Sequence, residues 1–341
     1  SLGNVGRGGH EGALRAGRVI YQTRAKLSEL FGVGDPSQVV FTMNATESLN
    51  MVISGLFGSG DHVISTTMEH NSVLRPLYRK EKQGVELTLL PCDEKGTVRY
   101  DLLEQALRPN TKAGVCTHAS NLTGNVVDIE KIGAWCAQKG IYFVVDASQT
   151  AGILPIHMEK QHISALCFTG HKGLRGPQGT GGLCLAPGVE LPHWKVGGSG
   201  ILSYQKEHPS QMPTRLEAGT LNGHGIAGLY GALEWLEEQG IEKVYQKEHQ
   251  LMERFYEGVK DLPGVRVYGD FTASKRAPIV ALNIGTLDSQ EVSDLLMQEY
   301  DIAVRGGAHC APLMHEALGT KEQGAVRFSF GWANTENDVD E

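Results

Sequence analysis

The sequence predicts an α/β fold in which a mainly parallel sheet is covered by helices on both faces. Between about residues 38 and 170, short apolar runs typical of buried strands alternate with stretches whose apolar residues recur at helical spacing. Such alternation favours parallel strands joined by helical crossovers. After about Gly223 the pattern changes to a long helical stretch, broken near Gly240, which precedes the strand-like runs VRVYG, IVALNIG and AVRFSF.

The predicted elements follow one another in a regular order. HEGALRAGRVIYQTRAKLSELFG indicates an amphipathic helix that ends at Gly32. The strands QVVFT, HVIST, VELTLLP and KAGVCTHAS each precede a predicted helix, and these helices start near Thr46, Asn71, Asp101 and Asp128. IYFVVDAS leads to a loop and ALCFTG to a glycine-rich turn, whereas residues 187–220 show little regular pattern.

This order predicts two domains. The large domain is expected over residues 16–240 and the small α+β domain over residues 241–341, with a helix near 289–300. Residues 1–15 are expected to pack with the small domain.

Composition argues against several classes of protein. A formal net charge of −8 and the lack of a basic stripe argue against nucleic-acid binding. Apolar runs remain too short for a membrane span, and the N-terminus lacks the pattern of a signal peptide. The six cysteines are scattered without a CxxC pair, so we expect free thiols and a cytoplasmic location.

Polar residues follow several of the predicted strands at the point where each strand ends. His70, Asn121, Asp146 and Lys172 all occupy such positions. Ligand sites in parallel sheets lie beyond the carboxyl ends of the strands, so these four residues predict one shared site.

Asp146 and Lys172 together indicate a particular chemistry. Asp146 ends the apolar run YFVV, and Lys172 lies in the turn after the next strand. A pyridoxal phosphate enzyme needs a lysine that binds the cofactor covalently and an acid that keeps the ring nitrogen protonated. The alternatives are a surface lysine and an aspartate that caps a helix.

Other residues suit the same cofactor. The helix start at Asn44, Ala45 and Thr46 could bind a phosphate, although an ordinary N-cap explains the same string. Thr169 and His171 offer further donors, and the glycines at 170, 173 and 176 are expected to let the backbone approach a phosphate.

Two further side chains could contact the cofactor ring. Gln149 could donate to its phenolic oxygen. His70 could lie over the ring or transfer protons, although a structural histidine is the commoner case.

The loop RGGAHCAP is a second candidate for reactivity. Cys310 has His309 beside it and Arg305 five residues earlier, and nearby cations raise the thiolate fraction of a cysteine. A zinc site would need a further ligand beside His309, Cys310 and His315, so no metal is predicted. Arg327 interrupts an apolar strand and suits an α-carboxylate, the alternative being an ion pair between the two lobes.

Taken together, these residues resemble the class V aminotransferases, pyridoxal phosphate enzymes of fold type I, and within them the cysteine desulfurases. The similarity covers nearly the whole chain, and its motifs occur in family order: MEHNS, SNLTGN, DASQ, TGHKG, EAGT, RGGAHCA and VRFSF. The resemblance implies a seven-stranded, mainly parallel sheet, a smaller α+β domain and a homodimer with active sites at its interface. The short cysteine loop is similar to that of the group II branch, which includes selenocysteine-lyase-like members.

The resemblance also implies a role for each matching residue. Lys172 would hold pyridoxal 5'-phosphate, Asp146 and Gln149 would meet its ring, and His70 would stack on that ring. Its phosphate would be bound by Ala45, Thr46, Thr169 and His171, and by Thr220 from the partner subunit. Asn121 and Arg327 would bind the substrate carboxylate, with Arg305 close by, and Cys310 would accept sulfur.

The activity that this resemblance implies is conversion of L-cysteine, or L-selenocysteine, to alanine, with the sulfur passed through Cys310 to an acceptor protein. Two alternatives remain open at this point. One is a transaminase, epimerase or lyase of the same family that does not use Cys310, and the other is a cofactor-free sulfur carrier. The chain lacks the family's opening strand and stops where a final helix would begin, so both ends are expected to be clipped, and Ala308 replaces a histidine common in group II.

Overall fold

In the computed structural model, which describes residues 10–341, two sheets are surrounded by helices. The helices are α1 (Glu11–Phe31), α2 (Ala45–Leu56), α3 (Asn71–Glu81), α4 (Leu103–Ala106), α5 (Ile129–Lys139), α6 (Gly223–Gln239), α7 (Ile241–Val259), α8 (Ser289–Tyr300), α9 (Pro312–Leu318) and α10 (Glu336–Asp340). The strands are β1 (Val39–Thr42), β2 (His62–Thr66), β3 (Glu86–Leu90), β4 (Thr111–Thr117), β5 (Tyr142–Asp146), β6 (Ala165–Thr169), β7 (Gly181–Leu185), β8 (Val265–Tyr268), β9 (Ile279–Ile284) and β10 (Val326–Ser329).

The large sheet confirms the predicted fold class. It has seven strands in the order β1-β7-β6-β5-β4-β2-β3. Strand β7 runs antiparallel to both of its neighbours, and the other pairs are parallel. The small sheet is an antiparallel array in the order β10-β9-β8.

Side-chain alternation explains why both faces of the large sheet are buried. Along β5, Phe143 and Val145 join the core beneath α1, α5 and α6, whereas Val144 joins the core beneath α2 and α3. Successive residues of a strand point to opposite faces, so continuously apolar strands require helices on both sides. The run YFVV has this character.

Several helix boundaries follow from capping residues that the sequence displays. Asp128 caps α5 by accepting a hydrogen bond from the amide of Lys131, and Gly140 ends that helix with a left-handed backbone. Gly240 separates α6 from α7, where a break was predicted. Residues 187–220 contain only a short 3-10 helix, in line with their irregular pattern.

The division at residues 240 and 241 remains a prediction, since the two sheets alone do not set a domain boundary. Residues 1–9 of the predicted N-terminal segment lie outside the described residues. From Glu11 onward, α1 packs on α6.

Candidate active site

The predicted site residues meet in a cavity at the carboxyl ends of β4, β5 and β6. The starts of α2 and α3 close the other side, because each helix follows a strand that ends at the same edge of the sheet. The lining residues are Asn44, Ala45, Thr46, His70, Ser72, Thr117, Asn121, Asp146, Ser148, Gln149, Thr169, His171 and Lys172.

Asp146 supplies a buried carboxylate to this inner cavity. Its side chain is 2% exposed. The Oδ1 atom accepts hydrogen bonds from the amide and hydroxyl of Ser148, whereas Oδ2 has no donor among residues 10–341. A turn rather than a helix follows Asp146, so the helix-cap alternative is wrong. The free oxygen suits a cationic N–H such as a pyridinium.

Lys172 follows β6 and faces the same cavity. Lys172 is exposed to solvent through the cleft, yet protein atoms lie close enough around its amine to disfavour the charged form. This desolvation lowers the pKa of Lys172, helped by the Arg327 and Arg305 guanidiniums and opposed by Asp146. A lowered pKa enlarges the neutral fraction of the amine, the form that acts as nucleophile or base.

His70 has a structural and a potential chemical role at once. Its Nδ1 accepts a 3.0 Å hydrogen bond from the amide of Ser72 and thereby caps α3. Because Nδ1 accepts, the neutral ring carries its proton on Nε2, which stays available as a donor. Burial is the main cause that lowers the pKa of His70, so the ring is neutral near pH 7.

The start of α2 offers unpaired donors beside this ring. Asn44 caps the helix by accepting from the amide of Glu47. Within the described part of the chain, the amides of Ala45 and Thr46 donate to no protein atom. The Thr46 hydroxyl lies 2.8 Å from that of Ser72. The cap predicted as an alternative is therefore present, together with two amides free to bind an anion.

Thr169 and His171 lie on the far side of the cavity, where the Thr169 hydroxyl is 3.0 Å from His171 Nδ1. Pyridoxal phosphate fits the groups that meet here, namely the free amides, these side-chain donors, the buried Asp146 carboxylate and the Lys172 amine. The amides and hydroxyls match the phosphate, the carboxylate matches the ring nitrogen and the amine matches the aldehyde.

The glycines near Lys172 have a role other than the predicted one. A Cβ at Gly170 would lie 2.1 Å from Thr180 Oγ1, and one at Gly173 would lie 2.4 Å from the Ala151 carbonyl oxygen. The absence of a side chain at these glycines leaves room for neighbouring parts of the protein to pack against the turn. The expectation that they let the backbone approach a phosphate is not supported.

A second, outer cleft adjoins the inner cavity and shares His70, Asn121, Gln149 and Lys172 with it. The small domain contributes its other wall through Pro278, Ile279, Arg305, Arg327, Ser329 and Phe330. The two cavities together connect the Lys172 amine to bulk solvent.

Two arginines face each other across this outer cleft. Arg305 and Arg327 pair in an isolated antiparallel bridge, so their side chains leave the backbone on the same side. Neither pairs with a carboxylate among residues 10–341, so the alternative interpretation of Arg327 as an interlobe ion pair is not supported. Arg327 donates instead to the Asn121 carbonyl oxygen at 2.9 Å, and its buried Nε has no partner in this range. Two adjacent guanidiniums without a counterion favour binding of an anion.

The cysteine loop is anchored next to the site but does not line either cavity. The Asn71 backbone amide donates to the Cys310 carbonyl oxygen, and the side-chain Nδ2 of Asn121 donates to the His309 carbonyl oxygen. Both His309 and Cys310 have a left-handed backbone, with φ of 52° and 58°. These bonds hold a conformation that side chains disfavour.

His309 does not supply the positive charge expected beside Cys310. Its Nε2 lies 2.8 Å from the Ala325 carbonyl oxygen, so this nitrogen carries the proton. Burial, helped by the cations of Arg327 and Arg305 and opposed by the hydrogen bond to Ala325, lowers the pKa of His309 to about 4. The ring is therefore neutral, and Arg305 is the remaining cation among the residues predicted to act on this thiol.

Glu69, which the sequence reasoning missed, lies fully buried behind the cavity. Its Oε2 accepts from the amide of Thr117, the β4 residue that pairs with Asp146 on β5. Burial, helped by the charge of Asp146 and opposed by the hydrogen bonds from Thr66 and Thr117, raises the pKa of Glu69 to about 8. The signal was present, since Glu69 is an acid within four residues of an apolar strand end.

Thr220 lies outside both cavities of its own chain and is exposed. The amide of its neighbour Gly219 donates to the Gly198 carbonyl oxygen. Glu217, in the same motif, pairs with Arg24 of α1 and accepts from the Phe41 amide. The predicted role of Thr220 on a partner subunit stays a prediction.

Comparison with known proteins is consistent with this site. The Aminotransferase class-V family model matches residues 1–341. A probable cysteine desulfurase from Methanothermobacter thermautotrophicus is 32% identical over 98% of this chain and 85% of its own length. The cysteine desulfurase IscS of Vibrio campbellii is 33% identical over 100% and 83%, respectively.

Solved structures give the same result. An apo cysteine desulfurase from Thermococcus onnurineus superposes with a TM-score of 0.92, at 32% identity, over 99% of this chain and 85% of that one. The cysteine desulfurase CsdA of Escherichia coli gives 0.89, at 29% identity, over 100% and 86%. The chain belongs to the class-V aminotransferase family. Among its described helices, none has the length and apolar character needed to cross a bilayer.

Proposed function

We propose that this protein is a pyridoxal-phosphate-dependent cysteine desulfurase, which converts L-cysteine to L-alanine and passes the sulfur to Cys310. The single observation that carries the proposal is that the inner cavity and the outer cleft adjoin. A cofactor-type cavity around Lys172 and Asp146 adjoins a cleft with Arg305 and Arg327, neither of which pairs with a carboxylate among residues 10–341. The relatives named as cysteine desulfurases support the choice of reaction.

Lys172 would hold the cofactor, Asp146 would bind its ring nitrogen, and the free amides of Ala45 and Thr46 would bind its phosphate. When bound, pyridoxal phosphate supplies an electron sink for the bond that breaks at the amino acid's Cα. The neutral amine of Lys172 then accepts the Cα proton and returns it. His70, neutral and with Nε2–H free, lines both cavities and suits a donor over the reacting atoms.

Arg327 and Asn121 would bind the substrate carboxylate at the junction of the two cavities. The buried Nε–H of Arg327 has no partner among residues 10–341 and can donate to that carboxylate. Asn121 would contribute through its Nδ2, which would exchange the His309 carbonyl oxygen for the carboxylate. A guanidinium binds a carboxylate through two parallel hydrogen bonds, which fixes its orientation. Orientation at this point would place the substrate's Cα near Lys172.

Cys310 would then accept the sulfur atom. Its thiolate forms a bond to the substrate sulfur while the bond from that sulfur to Cβ breaks. The electron pair of the broken bond passes to Cβ, and Cβ takes up a proton, which balances the one that Cys310 lost when its thiolate formed. The enzyme thiol thereby becomes a persulfide, and cysteine leaves as alanine. A sulfur-acceptor protein would take the persulfide sulfur, and selenocysteine is a second substrate of the same chemistry.

One observation favours a second function. Cys310 lines neither cavity, so a transaminase, epimerase or lyase could use the same cofactor site without it. In that case the thiol would be dispensable.

The experiment that tests the proposal is alanine formation from L-cysteine by the cofactor-loaded protein. We expect stoichiometric alanine and sulfane sulfur, and a slower or absent reaction with L-serine, which lacks the sulfur. Cofactor binding without alanine, but with amino transfer to a 2-oxo acid, would favour the second function.

We also propose a homodimer in the cytoplasm. Val196, Ile201, Leu202 and Tyr204 expose apolar surface in one segment, and Tyr204 is 104% exposed. The Gly219–Gly198 hydrogen bond places Thr220 beside this segment. A second copy covering it would bring Thr220 to the interface, and the molar mass in solution tests this. The described cysteines are all free, in keeping with a reducing compartment.

A further inference from the structure

Arg175 has an unusual backbone for its position in the Lys172 turn. Its φ is 59°, a left-handed conformation that a residue with a side chain disfavours. Its amide donates to the Lys172 carbonyl oxygen at 2.8 Å, and the amide of Gly176 donates to that of Gly170 at 2.7 Å. The turn that carries Lys172 is therefore closed at Arg175.

The side chain of Arg175 is held from outside the turn. Its guanidinium forms an ion pair with Glu248 of α7, whose side chain is 2% exposed. The same guanidinium lies over the ring of Trp235 on α6, 5.3 Å from its centroid. A buried carboxylate needs a cationic partner, and a planar guanidinium can pair with it and stack on an indole at the same time.

These contacts continue to the strand that carries Arg327. The rings of Trp235 and Trp332 meet edge to face, with centroids 5.5 Å apart. Lys247, next to Glu248 on α7, donates to the Trp332 carbonyl oxygen at 2.5 Å. Trp332 is three residues beyond the end of β10 (Val326–Ser329). The Lys172 turn, α6, α7 and the end of β10 thus meet at one cluster.

We propose that Arg175 and Glu248 form a clamp that fixes the Lys172 turn relative to the lobe that carries Arg327. The clamp makes Arg175 a positioning residue, because it sets the separation between the amine that moves the proton and the arginine that holds the carboxylate. This inference rests on the proposed function for its kinetic consequence. Its structural consequence is independent of any substrate or cofactor.

The first test is amide hydrogen exchange in the protein without cofactor. The variants are Glu248→Gln, which keeps the shape of the pair, and Arg175→Gly with Glu248→Gln, which removes the clamp without leaving a buried charge unpaired. Glycine accepts the left-handed backbone, so the turn itself can persist. In the double variant we expect the amides of residues 175 and 176 to exchange at least about tenfold faster than in the parent, with β6 unchanged. Unchanged exchange in the turn would overturn the clamp.

The second test separates positioning from substrate contact. With L-cysteine, the double variant should lower kcat about 10- to 100-fold while KM changes less than about threefold. Arg175→Lys with native Glu248 should recover part of the loss. A raised KM with unchanged kcat would contradict the proposal, because Arg175 would then contact the substrate directly. Lowered thermal stability with both constants unchanged would contradict it too, because the pair would be structural alone.

Arg254→Gln is the matched control. Arg254 lies on α7, the helix that also carries Glu248, and pairs with Asp340 at the protein surface. We expect it to change neither exchange in the Lys172 turn nor kcat. If neither the parent nor this control forms alanine, the proposed function fails while the exchange result still decides the clamp.

Discussion

The inner cavity and the outer cleft are built in different ways. The inner cavity uses the ends of neighbouring strands and the starts of the helices that follow them, so Asp146 and Lys172 come from a continuous region of one sheet. The outer cleft combines that sheet with loops of the small domain, and Arg305 and Arg327 come from segments more than 150 residues further along the chain than Asp146. Under the proposed function, the inner cavity would carry out the reaction and the outer cleft would select the substrate.

The two cavities also differ in the charges that line them. The inner cavity balances the Lys172 amine against the buried Asp146 carboxylate, and His70, which lines the same cavity, is neutral near pH 7. The outer cleft holds Arg305 and Arg327 without a carboxylate partner in the described chain. We therefore expect inner substitutions to affect every substrate and outer ones to affect those with a carboxylate.

The largest effect is expected for Lys172→Ala. Loss of the amine removes both the covalent link to the cofactor and the group that moves the Cα proton, so kcat should fall by about 10³-fold or more. The measurement is alanine formation from L-cysteine, with borohydride reduction and mass spectrometry to detect cofactor attached to residue 172. Lys260→Ala is the control, since Lys260 pairs with Glu257 on the surface. Equal activity in both variants would remove Lys172 from the mechanism.

A smaller effect on activity is expected for Arg327→Lys, which tests whether the outer cleft binds the substrate carboxylate. An ammonium cannot replace the two parallel hydrogen bonds of a guanidinium, so KM for L-cysteine should rise about 10- to 100-fold, equivalent to roughly 1.4–2.7 kcal/mol. Steady-state kinetics over a range of L-cysteine concentrations measure this. The exposed Arg266→Lys on β8 serves as the control. An unchanged KM would place the carboxylate elsewhere.

A purely structural effect, on stability and not on catalysis, is expected for Glu69→Gln. Because burial raises the pKa of Glu69 to about 8, the folded state binds more protons than the unfolded state above the ordinary pKa near 4.5. The parent should therefore lose stability as pH rises between about 5 and 8, whereas the glutamine, which is neutral at every pH, should not.

Denaturant unfolding at pH 5 and pH 9 checks this. The two proteins should be nearly equal at pH 5, and the variant should be the more stable by a few kcal/mol at pH 9, since each unit of pKa difference is about 1.4 kcal/mol. A variant less stable at both pH values would show that Glu69 is charged in the fold.

The inner cavity was largely predictable from the sequence because its residues follow strands that are recognisable as apolar runs. Asp146, Lys172, His70 and Asn121 share a cavity for that reason. Glu69 was missed because an acid after an apolar strand can be either a charged functional group or a buried neutral one, and the sequence does not distinguish the two. The sequence also did not show why residues 170 and 173 are glycines, because the atoms that a side chain there would meet, in Thr180 and Ala151, are brought close only by tertiary packing.

The outer cleft was harder to predict. Arg327 stands out in an apolar strand, but Arg175 and Glu248 gave no signal, because 73 residues separate the partners of that pair. The neutral state of His309 depends on its burial and its bond to Ala325, which no local pattern displays.

The most direct test of the account concerns Cys310, the residue that distinguishes a desulfurase from other members of the family. Cofactor-loaded parent protein, Cys310→Ala and Cys92→Ala would be compared for alanine formed from L-cysteine and for persulfide detected by mass spectrometry. Cys92 is the matched control, because it and Cys310 are the two cysteines that are only partly buried. The account predicts alanine and a persulfide on Cys310 in the parent and in Cys92→Ala, and neither in Cys310→Ala. Equal alanine from all three proteins would contradict it.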